Sequence, residues 1–305
     1  MRSRIILTTA ICLLASAAFG QINSSTYRYV AINFPGASST TARGINNLGE
    51  IVGFFTVGQT DCTPPIPAGC QVHGFKLVNK VFTKIDIPGA TQTFAFGVND
   101  HGDIAGTYFT SDGHDHGFLL HHTGFLQTIN QPGASFTSVT GVNNSLTVCG
   151  FSDVSGFIWK NGAFTKVDFT VPGQGQNEEI NGISNLGVLA GSIFRLDFFF
   201  GFQKTGTDLD IFQRLGSFDN HLNGVNSRDD LVGTDSGVDF GGFVVFHNEG
   251  SETGESQTAE TLKHPVFLHF PGAQGTIPWS INYNQSIVGS YLDSNSVHHG
   301  FLAVH

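Results

Sequence analysis

Charged residues are scarce in this chain of 305 residues, and basic residues are the scarcer kind. Only 12% of the residues are charged, with 14 Lys and Arg against 24 Asp and Glu, which gives a formal net charge of −10 at pH 7. Nucleic acids and anionic membrane surfaces bind clustered positive charge, so a chain of this balance repels them. The composition therefore predicts no nucleic-acid partner.

Motifs for common catalytic and cofactor sites are also missing. The sequence contains no G-x-S-x-G nucleophile elbow, phosphate-binding loop, dinucleotide fingerprint or sialidase-type Asp box. Beyond the first few residues, arginine is scattered rather than clustered, at Arg28, Arg43, Arg195, Arg214 and Arg228. We therefore predict no cofactor.

Long apolar runs are limited to the amino terminus, which has the pattern of a secretory signal peptide. Two arginines precede an apolar run from Ile5 to Ala18, and Gly20 offers a small residue before Gln21. The run is shorter than the ~20 apolar residues that a bilayer span requires. We expect residues 1–20 to be removed on export to the periplasm or exterior, leaving no membrane span. Loss of two arginines then changes the formal charge from −10 to −12.

Cysteine is rare, and each cysteine has a different expected role. Cys12 lies inside the signal, in a context unlike a lipoprotein site. Cys62 and Cys70 end the proline-rich segment "DCTPPIPAGC", where a disulfide suits an oxidising compartment. The apolar neighbours of Cys149 in "LTVCGF" predict a buried thiol rather than a nucleophile.

Glycine and phenylalanine are abundant, with 39 and 29 residues, and one ten-residue phrase recurs six times. A Gly-Phe pair follows each copy, and a β-type run ending in Pro-Gly follows the pair in most units. No internal segment carries a sustained helical period. The copies are Gly44 to Gly53 ("GINNLGEIVG"), Gly97 to Gly106, Gly141 to Gly150, Gly182 to Gly191, Gly224 to Gly233 and Ser280 to Gly289.

Each unit reads as four strands, and a period of about 44 residues with four strands is typical of propeller blades. The sixth unit ends after three strands, whereas "YRYVAINFPGA" near the amino terminus is a fourth strand without a unit of its own. An open β array would leave both ends as exposed edges. We therefore predict an all-β, six-bladed β-propeller with four-stranded blades, closed by pairing of the N-terminal strand with the last blade, as a single domain over residues 26–305. The phenylalanine of each Gly-Phe pair is expected to fill the gap between adjacent sheets.

The combination of "GINNLGEIVG", "HGF" and "FTKIDIPGA" resembles the HAF family of extracellular repeat proteins found in bacteria. The resemblance covers about Tyr27 to His305, although the His-Ala-Phe triplet appears here as His-Gly-Phe in three units and without histidine in the others. It implies export and a β-repeat architecture, and it supplies no catalytic residues.

Loops between the fourth and first strands and between the second and third strands share one face of a propeller, the usual ligand face. The opposite face holds the asparagine turns and the acidic insertion at 248–264, which we interpret as a solvated loop. We expect ligand contacts from Thr91, Gln92, His114, Asp115, Gln176, Arg195, Asp239, Asp293 and His298.

Metal binding was weighed at "SDGHDHGF", where His114, Asp115 and His116 lie close in sequence. Zinc needs three or four converging ligands, and one alternating strand end supplies at most two. The asparagine turns offer too few carboxylates for calcium. His73, His116 and His299 occupy the same repeat position, where a hydrogen bond to the backbone of an adjacent blade explains them. We predict no metal site.

Acid–base candidates are few on the expected ligand face: Glu178, Glu179, Asp219, His221 and His116. Adjacent strand residues point to opposite sides, which makes Glu178 and Glu179 a poor acid and base pair. The sequence therefore favours a monomeric, noncatalytic secreted binding or scaffold protein for a glycan or an extracellular protein. The alternative is an extracellular hydrolase or lyase that acts on sugar or lactone substrates.

Overall fold

The computed structural model describes residues 27–59, 69–167, 169, 178–195, 197–212, 219–235, 241–247 and 265–305, without the side chain of Arg195. These residues form six four-stranded antiparallel sheets and contain no helix. The sheets are the blades of a β-propeller, which confirms the predicted fold class. The predicted signal peptide at 1–20, the acidic insertion at 248–264, Cys62, Gln176 and Asp239 lie outside the described residues, so the predictions made for them stay predictions.

The strands follow the repeats closely. Strand β1 (Arg28–Ile32) comes first. Blade 1 contains β2 (Ser39–Ile45), β3 (Ile51–Val57), β4 (Gln71–Val78) and β5 (Val81–Ile85), and blade 2 contains β6 (Gln92–Val98), β7 (Ile104–Phe109), β8 (Asp115–Leu120) and β9 (Leu126–Ile129). Blade 3 contains β10 (Thr137–Val142), β11 (Val148–Ser152), β12 (Gly156–Lys160) and β13 (Ala163–Lys166), and blade 4 contains β14 (Glu178–Ile183), β15 (Leu189–Arg195), β16 (Phe198–Thr205) and β17 (Asp208–Phe212). Blade 5 contains β18 (Asn220–Val225), β19 (Leu231–Asp235), β20 (Gly241–Val245) and β21 (Val266–Leu268), and blade 6 contains β22 (Gly275–Ile281), β23 (Ile287–Leu292), β24 (His298–Val304) and β1.

The ring closes as the sequence predicts. Strand β1 pairs antiparallel with β24, with Arg28 opposite Val304 and Ile32 opposite Gly300. The first strand of each blade is the innermost, and β22 contacts β2 as each other inner strand contacts its neighbour. No sheet is left with three strands, so the exposed edges of an open array are avoided.

The six phenylalanines of the Gly-Phe pairs form the core between blades, as expected. Phe75, Phe118, Phe157, Phe202, Phe243 and Phe301 are all at most 1% exposed. Each packs over the glycine that closes the repeated phrase: a Cβ on Gly106 would lie 2.8 Å from the Phe118 ring and would overlap the carbonyl oxygen of Phe94. Burial of a phenylalanine contributes about 1.5–3 kcal/mol. Glycine closes the phrase because only a residue without Cβ admits this ring.

The asparagine turns do more than permit a tight hairpin. The Asn46 side-chain oxygen accepts hydrogen bonds from the amides of Leu48 and Glu50, while its Nδ2 donates to the carbonyl of Asn99 in the next blade at 2.9 Å. The same link to the next blade is made by Asn99, Asn143, Asn226 and Asn282, and the last of these donates to Asn46 at 3.0 Å. In blade 4 the position is Ser184, whose shorter side chain only accepts from Val188. The repeated phrase therefore ties neighbouring blades together, a role that the sequence analysis did not predict.

The described cysteines fit the earlier interpretation where they can be compared. Cys149 is fully buried, and this burial raises the pKa of its thiol to about 12, so it packs as a small hydrophobic residue. The disulfide between Cys62 and Cys70 stays a prediction because Cys62 lies outside the described residues.

Candidate functional site

A β-bulge interrupts the inner strand of every blade at one equivalent position. The pairing between the first and second strands shifts register around a single residue, for example between Ala42 and Gly44 in blade 1. The skipped residues are Arg43, Phe96, Thr140, Asn181, Asn223 and Trp279, and all six line the central channel. Bulges re-aim a side chain away from the regular alternation. We call these six residues the bulge layer.

The residue after each bulge is small because the inner strands converge there. A Cβ on Gly97 would lie 2.9 Å from the Cα of Gly141, and one on Gly182 would lie 3.2 Å from the Cα of Gly224. Real Cβ atoms avoid such distances to backbone, so the close approach requires glycine. The backbone frame around the channel is thus the same in each blade, and only the bulge residue differs.

Three consecutive members of the bulge layer are tied to the wall. Thr140 Oγ1 donates to the carbonyl of Ile180 at 2.6 Å, Asn181 Nδ2 to that of Leu222 at 3.1 Å, and Asn223 Nδ2 to that of Pro278 at 2.8 Å. Each bond joins one blade to the next, so these side chains lie against the channel wall. We call Thr140, Asn181 and Asn223 the closed half.

The other three members, Trp279, Arg43 and Phe96, stack on one another, and we call them the open half. The guanidinium carbon of Arg43 lies 3.6 Å from the centroid of the Trp279 ring and 4.7 Å from that of Phe96. Such cation–π contacts contribute roughly 0.5–2 kcal/mol each. Within the described part of the chain, Arg43 has no hydrogen bond or ion pair. Burial lowers the pKa of Arg43 to about 9, which leaves the guanidinium charged at neutral pH.

A cavity of about 650 Å³ lies against the open half and opens on the predicted ligand face. It spans blades 6, 1 and 2, and a separate cavity of about 90 Å³ lies on the side of the asparagine turns. Phe96 and Trp279 line both cavities, so Arg43 lies between them. We call the larger cavity the aromatic funnel. Its apolar wall consists of Phe54, Phe94, Phe96, Phe109, Ile277, Trp279 and Leu292, all half-buried.

The aromatic side chains of the funnel support one another, and hydroxyl groups lie between them. The Phe54 and Phe94 rings meet edge to face at 5.0 Å, and Phe94 and Phe109 do so at 5.7 Å. The hydroxyl side chains on the wall are Ser39, Thr41, Thr56, Thr107, Ser138 and Ser290. The wall therefore combines fixed aromatic faces with short hydrogen-bonding groups.

Gln92 is the buried polar group of the funnel that lacks a partner. Its side chain is 6% exposed, it lines the cavity, and its Oε1 has no hydrogen-bond partner in the described structure. A buried acceptor without a partner costs roughly 1–3 kcal/mol. A ligand that donates a hydrogen bond would remove this cost.

The predicted ligand-face residues divide into three groups. Gln92, Asp115 and His298 line the aromatic funnel, and burial raises the pKa of the Asp115 carboxyl. Three others lie near its mouth but make local bonds: Thr91 donates to Phe109, His114 lies 3.4 Å from the Ser135 carbonyl, and Asp293 accepts from the amides of Asn295 and Val297. Gln176, Asp239 and the Arg195 side chain are outside the described structure.

The acid–base candidates lie mainly on the closed side, away from the funnel. Asp219 accepts a hydrogen bond from the amide of Phe199 at 2.8 Å, and His221 Nδ1 lies 2.9 Å from Ser192 Oγ. Burial lowers the pKa of His221 and raises that of Glu179. Glu178 and Glu179 pair with successive residues of β15 and so point to opposite sides of the sheet, as predicted.

His116 is in blade 2 with different neighbours, so the structure does not bring all five acid–base candidates together. The recurring histidines also bond differently from the prediction. His73, His116 and His299 place Nδ1 at 2.6, 3.0 and 2.9 Å from the side chains of Asp86, Asn130 and Asn33. Each partner follows the outer strand of the same blade, so the predicted bond to an adjacent blade's backbone is wrong. The outer strand was mistaken for a neighbouring blade because sequence cannot tell which strand a histidine faces.

Neither a metal cluster nor a membrane span is found where the chain is described. No group of three His, Cys, Asp or Glu side chains converges there. The same residues include no helix long and apolar enough to cross a membrane.

No family model matches the sequence, and no curated protein matches it. Solved structures with similar folds include the β-propeller domain of the Trilobed protease from Pyrococcus furiosus, with a TM-score of 0.47 and 9% identity over 89% of this chain and 94% of that one. The extracellular domain of a hybrid two-component system from B. thetaiotaomicron gives 0.45 and 11%, over 90% of this chain but only 39% of that chain. The Aleuria aurantia lectin in complex with Fucalpha1-6GlcNAc gives 0.43 and 10%, over 87% and 91%. Similarities at this level carry no functional argument.

Proposed function

We propose that this protein is a secreted, noncatalytic binding propeller of the HAF repeat type, and that its aromatic funnel holds a glycan. The funnel itself is the observation that carries the proposal. Its volume of about 650 Å³ falls in the range of roughly 300–1,000 Å³ typical of small-ligand sites. Export rests on the signal-peptide pattern of residues 1–20.

The chemistry of the wall supports a sugar ring as the occupant. A sugar presents apolar C–H faces and a rim of hydroxyls, and the funnel offers half-buried aromatic faces interleaved with serine and threonine hydroxyls. Phe54, Phe94 and Phe109 hold one another in edge-to-face contacts, so a ligand meets rigid rings and orders few side chains. A protein partner would instead favour a broad, flatter surface than this concave site.

The test is binding to an array of bacterial and plant glycans, followed by isothermal titration with the best ligand. Phe94→Ala removes one ring of the funnel, and we expect affinity to fall about 10-fold or more. The matched control is Phe125→Ala, because Phe125 belongs to the same blade but is 63% exposed in the hairpin between β8 and β9. Thermal unfolding of both variants checks that the fold is intact.

Three results would contradict the proposal. Equal affinity in wild-type protein and Phe94→Ala would place the ligand elsewhere. Binding to an extracellular protein that no glycan displaces would identify the other class of partner. Breakdown of the bound glycan, followed by chromatography of the products, would make the protein a hydrolase or lyase.

A further inference from the structure

Arg43 is an unusual residue for this channel. The chain has 14 basic residues against 24 acidic ones, yet this guanidinium lies inside the molecule without an acidic partner among the described residues. Removing a cation from water costs several kcal/mol unless other groups replace the lost hydration. The faces of Trp279 and Phe96 replace part of it, since they occupy the two sides of the guanidinium.

The edge of the guanidinium is the part that these rings leave unused. Arginine carries its N–H donors in the guanidinium plane, while stacking uses the faces, so a stacked arginine can still bind a carboxylate through two parallel hydrogen bonds. Fixed rings also hold the fork in one orientation, which reduces the entropy lost on binding. Arg43 is therefore arranged as a preformed anion receptor between the funnel and the smaller cavity.

Gln92 supplies an independent second requirement. It lines the same funnel, it is 6% exposed, and its Oε1 has no partner in the described structure. Its burial means that bulk water does not satisfy this acceptor freely. The occupant must therefore offer a hydrogen-bond donor as well as an anion.

We propose that the glycan held in the funnel contains a hexuronic acid residue, whose carboxylate binds Arg43 and one of whose hydroxyls donates to Gln92. This inference rests on the proposed glycan-binding function and specifies the class of sugar. A hexuronate combines the three features that the site requires: an apolar ring face for the aromatic wall, hydroxyl donors, and a carboxylate on the ring. A neutral sugar leaves Arg43 without a counter-ion.

The experiment uses ligands that differ only in the carboxylate. Trimers of galacturonate, glucuronate and mannuronate are titrated calorimetrically against the full mature protein, alongside the same trimers after reduction of each carboxyl to a primary alcohol. We expect at least one acidic trimer to bind about 10- to 150-fold more tightly than its reduced form, the range typical of a hydrogen bond to a charged group.

Variants of Arg43 assign that preference to one residue. Arg43→Gln removes the charge and should bind the acidic and reduced trimers equally, with its affinity for the reduced trimer unchanged within about threefold. Arg43→Lys keeps a cation without the planar fork and should retain only part of the preference. Thermal unfolding confirms that both variants are folded, and Arg228→Gln, on the asparagine-turn face, serves as the charge-matched control.

The outcomes separate this inference from the proposed function. If wild-type protein binds the acidic and reduced trimers alike, or if Arg43→Gln keeps the preference, the hexuronate assignment is overturned while glycan binding stands. If neither form of any trimer binds but a neutral glycan does, the assignment is again overturned. If no glycan of any kind binds, both proposals fail.

Discussion

The two halves of the bulge layer share one backbone and differ in what their side chains do. In the closed half, Thr140, Asn181 and Asn223 each donate to a carbonyl of the next blade. In the open half, Trp279, Arg43 and Phe96 stack on one another, and the aromatic funnel forms above them. A bulge at the same position of every blade thus supplies six side-chain directions, and the residue type decides whether a direction joins blades or forms a cavity. Function resides in side chains mounted on a uniform frame.

The largest expected effect would show that the frame itself is common to both halves. Gly106→Ala in blade 2 and Gly191→Ala in blade 4 each place a methyl group against a backbone carbonyl and a buried phenylalanine ring. We expect each to lower the free energy of unfolding by about 3 kcal/mol or more, because neither neighbour can move. Urea denaturation measures both values, and a large difference between them would contradict a shared frame.

The next effect separates stability from binding in the closed half. Asn223→Ala leaves the buried carbonyl of Pro278 without its donor, and we expect a loss of about 1–3 kcal/mol in unfolding free energy. Glycan affinity should stay within about twofold, since Asn223 does not line the funnel. A variant that loses binding while retaining stability would show that the closed half also holds ligand.

A third variant converts one position of the open half into the closed type. Phe96→Thr gives blade 2 the bulge residue of blade 3, where Thr140 donates to the carbonyl of the residue before the next bulge. The new hydroxyl is expected to reach the carbonyl of Val139, so unfolding free energy should change by less than about 1 kcal/mol. Loss of the ring from the funnel should weaken glycan binding about 10-fold, measured by calorimetry. Unchanged affinity would remove Phe96 from the site.

The smallest effect concerns the acidic wall of the closed side. Burial raises the pKa of Glu179 above its ordinary value of 4.5, so the folded state holds this proton more tightly than the unfolded state does. Ionisation therefore opposes folding: the penalty is absent below the unfolded pKa and appears as pH rises from 4.5 through the folded pKa. We expect Glu179→Gln to raise the unfolding free energy at pH 7 by less than about 1 kcal/mol and to change nothing near pH 3. Equal gains at both pH values would contradict a protonation effect.

Repetition made the fold predictable, whereas the site depended on what does not repeat. The six copies of the phrase, the Gly-Phe pairs and the unmatched strand near Tyr27 were enough to predict the number of blades and their closure. The ligand face was also predictable, because strand order alone determines which loops share it. Gln92, Asp115 and His298 were identified correctly as residues of that face and line the funnel.

The bulge layer escaped the sequence analysis for a physical reason. A one-residue register shift changes no residue type, so period-2 alternation gives no sign of it. A signal was nevertheless present: the residue before the first glycine of each phrase is Arg43, Phe96, Thr140, Asn181, Asn223 or Trp279, variable where its neighbours repeat. The acid–base candidates were chosen by residue type instead, and this choice led to the closed side. The histidine partners Asp86, Asn130 and Asn33 could not be assigned because they depend on which side of the sheet each ring faces.

Closure by β1 also sets the order in which this molecule can be assembled. Each of the first five blades takes its four strands from one continuous stretch, so it can form from local hairpins in the order of synthesis. Blade 6 must instead join the two ends, through contacts such as His299 with Asn33 that span 266 residues. Contacts of such sequence separation are slow to form because the long loop between them must be closed first. The final docking of β1 is therefore the expected kinetic bottleneck, and until it occurs β24 exposes an unpaired edge that a chaperone or another chain can engage.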